Sequence, residues 1–134
     1  MVHCLLYAIS QGLFCVTSLM MCSYSVYLGG KHMHHIFRLP TERYLSPHQM
    51  AEFTITLLLN TPAKLNVLRM LSILFFDKVV QLSAEILYAL DIILRRICDE
   101  NILLGGLLLV AIVDCTQLQL VKGRLFLLLY RDIN

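Results

Sequence analysis

The stretch that decides the fold is LSILFFDKVVQLSAEILYALDIILRRICDENILLGGLLLVAIVD, Leu71 to Asp114. It opens with an apolar run, Leu71 to Phe76, closed by Asp77. That is the length and composition of a strand buried on both faces of a parallel sheet. Next, Ile86, Leu87, Leu90, Ile93, Leu94 and Ile97 recur at helical spacing, with Glu85, Asp91, Arg95 and Arg96 off the stripe. Glu85 falls in the first turn and the arginines in the last, as the helix dipole favours. Gly105-Gly106 breaks the chain, and Leu107 to Val113 is a second buried-strand candidate, ending at Asp114. Strand, helix, strand is a βαβ unit whose crossover keeps the strands parallel. In open α/β sheets, ligands bind beyond the carboxyl ends of the strands. Asp77 and Asp114 are therefore expected on one rim of one sheet.

Upstream, LLYAISQGL has helical character and stops at Gly12, a residue suited to the left-handed position after a helix. Phe14 to Thr17 reads as a β-type run, and Leu19 to Leu28 as a second helix ended by Gly29-Gly30. Ser46-Pro47-His48-Gln49 places a capping hydroxyl, a Pro at the first helical position and a Gln at the third. This predicts a helix from Pro47 to about Leu59, stopped by Asn60 and Pro62, with a further short helical turn over Ala63 to Met70.

The 134 residues suit one domain. Their hydrophobic fraction of 58% exceeds the roughly 45–50% usual for soluble domains, so either much of the chain is interior or some of it meets lipid. Cys4 to Gly30 carries no Lys, Arg, Asp or Glu and is longer than the ~20 residues a spanning helix needs. Ser10, Gln11, Gly12, Thr17, Ser18, Ser23 and Ser25 interrupt it, which argues against a membrane span. A net charge of +2 gives no strong electrostatic footprint for nucleic acid. The five cysteines include no CxxC pair and suggest neither a disulfide framework nor a zinc site. His32, His34 and His35 lack an acidic or thiol partner at ligand spacing and are weak as a metal cluster; they are expected in a loop.

An Asp closing an apolar strand either holds the Mg²⁺ that bridges nucleotide phosphates, or merely caps the helix that follows or starts a turn. The run to Asp77 alone leaves both open. The second strand, ending in VDCTQLQLV, tips the balance. Together, LSILFFDKVVQLSAEILYALDIILRRI and LLGGLLLVAIVDCTQLQLV resemble motifs II and III of Pif-type superfamily-one DNA helicases. YAISQGL resembles the helix behind the phosphate loop of that family, and LGGKHMHHIFRLPTE the segment around motif Ia. The resemblance runs from about Leu6 to Val121.

It implies a partial RecA-like (P-loop NTPase) domain over residues 1–134, a parallel sheet with flanking helices and without the phosphate-loop strand. Asp77 would be the Mg²⁺-binding acid, Asp114 would begin the motif III loop, and Gln117 would sense the γ-phosphate of ATP. Where the family has a catalytic Glu after the motif II Asp, this chain has Lys78. Val113, Gln119 and Leu120 depart from the Gly and Pro-Pro usual around motif III. No GxxxxGK[ST] occurs in the 134 residues. The resemblance thus implies ancestry in ATP-driven DNA unwinding but no hydrolysis by this chain. The partners implied are DNA and the remainder of a split helicase; Lys31, Arg38 and Arg43 near motif Ia would either approach the DNA backbone or belong to a solvated loop. The location implied is the nucleus. Two other classes remain: a membrane-associated protein using segment 4–30, and a non-enzymatic interaction module that pairs through an exposed sheet edge.

Overall fold

The computed structural model describes residues 2–19, 31–41, 45–77 and 82–112. Helix α1 (Val2–Ser10) leads through Gly12, at φ +74°, into strand β1 (Cys15–Leu19). Strand β2 (Lys31–His32) is followed at once by a short helix, α2 (Met33–Phe37). Helices α3 (Pro47–Leu59) and α4 (Pro62–Met70) precede strand β3 (Ile73–Asp77). Helix α5 (Ala84–Ile97) and a 3-10 turn (Leu103–Gly106) then carry the chain to β4 (Leu108–Ile112).

The four strands form one parallel sheet in the order β2-β1-β3-β4. Strand β3 pairs along its whole length on both sides, Ile73 lying between Cys15 and Leu108, and Asp77 between Leu19 and Ile112. Its alternation divides the core. Leu74 and Phe76 face a large cluster containing Phe37, Leu58, Leu90, Ile93 and Leu94 from α2, α3 and α5. Ile73 and Phe75 face the opposite side, where Ala8 of α1 packs with Cys15 and Val110. All four are buried, as expected for a two-sided strand. A parallel sheet needs helices on both faces, and among the described residues the two apolar clusters are unequal. One face carries the larger cluster under α2 to α5; on the other, among the described residues, α1 contributes the buried Ala8, and Tyr7 is 69% exposed.

The capping box at α3 forms as the sequence predicts: Ser46 Oγ accepts from Gln49 N at 3.3 Å, and Gln49 Oε1 accepts from Ser46 N at 3.0 Å. Met50, Ala51, Thr54, Ile55 and Leu58 are its buried stripe. Helix α4 begins at Pro62, one residue before the expected start, because Pro suits the first helical position. It runs to Met70 as expected, held on the core by Leu65 and Leu68, and Arg69 Nε donates to Ile97 O at 2.8 Å. On α5, Leu90, Ile93, Leu94 and Ile97 are buried as expected, with Ala84 and Ala89 beside them.

Two expectations are corrected. Leu19 ends β1 instead of starting a helix, since it pairs with both His32 and Asp77; the rest of the expected 19–28 helix lies outside the described residues. His32, His34 and His35 are not in a loop: His32 belongs to β2, and His34 and His35 ride on α2. Met33, Ile36 and Phe37 are all buried, and the 3.6-residue repeat that buries them together winds the intervening histidines into the helix.

Among the described residues, no helix is long and apolar enough to cross a membrane. Within the uncharged run, the nine-residue α1 gives way to a strand after Gly12.

Candidate functional site

Parallel pairing aligns the carboxyl ends of all four strands. The register sets His32 opposite Leu19, Leu19 opposite Asp77, and Asp77 opposite Ile112, one row across the end of the sheet. This is the edge at which open α/β sheets take their ligands. Asp77 closes β3, inside the row and flanked on both sides, and is the only carboxylate among its four residues. Its backbone belongs to the strand, which puts Asp77 on the rim where the sequence analysis expects it. Lys78, Asp114 and Gln117 lie outside the described residues, as does Arg43.

Beyond Asp77 the described chain resumes at Leu82, just ahead of helix α5. Ser83 caps that helix, its Oγ accepting from Ile86 N at 3.2 Å. The N-cap of α5 is thus Ser83 and not Asp77. Glu85 sits in the first turn, where the helix dipole favours a carboxylate. Its Oε2 is buried and accepts no hydrogen bond among the described residues.

The entry to β4 is built as carefully as the exit from β3. Leu104 at φ +52° and Gly105 at φ +62° turn the chain through the left-handed region before Leu107 reaches the sheet. Asp91 holds this turn: its Oδ1 accepts from Leu104 N at 2.7 Å and from Arg95 Nε at 2.9 Å. Gly105 is required by space as well as by φ, since a Cβ there would lie 2.4 Å from Leu94 O. The sequence marked Gly105-Gly106 as a break but gave Asp91 no role beyond lying off the apolar stripe.

Near β2, Arg38 ends α2 with φ +55° and an exposed side chain; its carbonyl accepts from the buried Thr54 Oγ1 at 3.5 Å. Lys64 Nζ of α4 donates to His35 O at 2.6 Å, tying α4 to α2. Among the described residues, no group of three or more His, Cys, Asp or Glu side chains is placed to hold a metal ion. Partial burial pushes the Cys98 thiol above its ordinary pKa, against the opposing charge of Arg69; burial also raises Cys15.

No protein-family model matches this sequence, and no curated protein matches it. Solved structures do. The Pif1 helicase from Candida albicans superposes with a TM-score of 0.75 at 17% identity, over 90% of this chain and 27% of that one. Bacteroides sp. Pif1 in complex with ADP-AlF4 gives 0.60 at 24% identity, over 96% of this chain and 28% of that one. Bacteroides Pif1 bound to ssDNA gives 0.60 at 21% identity, with the same shares of 96% and 28%. The chain thus spans little more than a quarter of the length of these helicases. At such identities the likeness speaks for the fold: four parallel strands with flanking helices, the architecture of the RecA-like helicase domain of Pif1.

Proposed function

We propose that this chain is a stretch of the first motor domain of a Pif-type DNA helicase that does not hydrolyse ATP. The observation that carries the reading is Asp77 at the carboxyl end of β3, inside the row His32-Leu19-Asp77-Ile112, with Lys78 next in sequence. An acid at that place suits a nucleotide-bound Mg²⁺, which is commonly held through one or two carboxylates and the substrate phosphates. The residue after it must then accept a proton from, or orient, the attacking water. A lysine ammonium has three donors and no acceptor, and its charge would oppose the metal beside it. The rim row contributes one acid, and no GxxxxGK[ST] is present in the 134 residues to cradle the phosphates. This donor set does not fit an ATP–Mg²⁺ complex held for hydrolysis, so no catalytic step is assigned to it.

The partner that the reading implies is DNA, as in the Bacteroides Pif1 structure bound to ssDNA. The place implied is an intracellular compartment, with the nucleus as its specific form. Asp114 and Gln117 keep the roles that the motif III resemblance gives them, the loop start and the γ-phosphate sensor.

The test is steady-state phosphate release from ATP with Mg²⁺ and single-stranded DNA, for the wild-type chain and for Lys78→Glu. Both are expected at the level of a protein-free blank. Turnover by the wild type would overturn the argument from Lys78; turnover by Lys78→Glu alone would show that the phosphates are anchored without a GxxxxGK[ST] loop.

A further inference from the structure

We draw no further inference here: the strongest candidate, the apolar cavity of about 450 Å³ between α1 and the β3–β4 face of the sheet, lined by Tyr7, Leu13, Ile73, Phe75 and Val110, carries nothing because nothing in the structure shows what covers it.

Discussion

Gly105→Ala, set against Gly12→Ala, isolates the close approach that fixes the turn into β4. Both glycines have positive φ, +62° and +74°. A left-handed backbone costs an L-residue roughly 1–2 kcal/mol, and the lost freedom of the unfolded chain returns about 0.4–1 kcal/mol. On the order of 1 kcal/mol of destabilisation is therefore expected at either site from φ alone. Gly12 adds nothing more, because a Cβ there meets nothing within 4 Å. At Gly105 the added carbon would lie 2.4 Å from Leu94 O, 2.8 Å from Leu94 C and 3.0 Å from Cys98 Cβ. Two of these are backbone atoms of α5, and Leu94 O already accepts from Cys98 N at 2.9 Å. Either the turn lifts from the helix or the last helical turn distorts, at about 1–3 kcal/mol for overpacking. Gly105→Ala should then cost about 2 kcal/mol more than Gly12→Ala. With a urea slope of about 1–3 kcal/mol per molar, this separates the two midpoints by roughly 1 M in urea unfolding followed by far-ultraviolet circular dichroism. Equal midpoints, or a smaller loss at Gly105, would refute the close packing of this turn against α5.

Asp91→Ala removes the acceptor for Leu104 N and should cost about 1.5–3 kcal/mol, the range for a hydrogen bond to a charged group, while faster amide exchange at Leu104 reports the freed turn. Little of that loss belongs to the ion pair with Arg95, whose side chain is 37% exposed, so added salt should change it only slightly. Ser46→Ala breaks the capping box of α3 and should lower stability by about 0.5–2 kcal/mol, read from the urea midpoint; Ser46→Asp should retain most of it. Phe76→Ala, in the larger cluster, should cost about 3–5 kcal/mol, whereas Phe53→Ala, on a ring 52% exposed, should fall near 0.5 kcal/mol or below; similar losses would contradict the assignment of the core.

The sequence foretold most where a signal was local. Ser46, Pro47 and Gln49 sit within one turn, and the cap they form is the one their types require. The run from Ile73 to Phe76 is apolar without alternation, and the strand it makes is buried on both faces. Asp77 could be placed at a strand end because the composition changes there. What stayed hidden depends on contacts between distant residues. Strand β2 is two residues long and exists only because Lys31 and His32 find Ser18 and Leu19, a pairing that no window of sequence contains. The rim row is hidden for the same reason: a slip of one residue would take Asp77 off the row and flip every side chain of β3 to the other face. Asp91 lies off the apolar stripe, where a solvated charge is the usual reading, and only the fold brings Leu104 N to it. Lys78, Asp114 and Gln117 rest on the resemblance to motifs II and III and await direct tests.

The most direct of these is a single-turnover experiment on the folded wild-type chain, held in excess over labelled ATP with Mg²⁺ and single-stranded DNA. Cooperative urea unfolding of the same preparation establishes that the chain is folded. The account predicts that labelled phosphate accumulates no faster than in a blank without protein. Release that is faster than the blank, and that increases with added single-stranded DNA, would contradict it and make the chain a working ATPase despite Lys78.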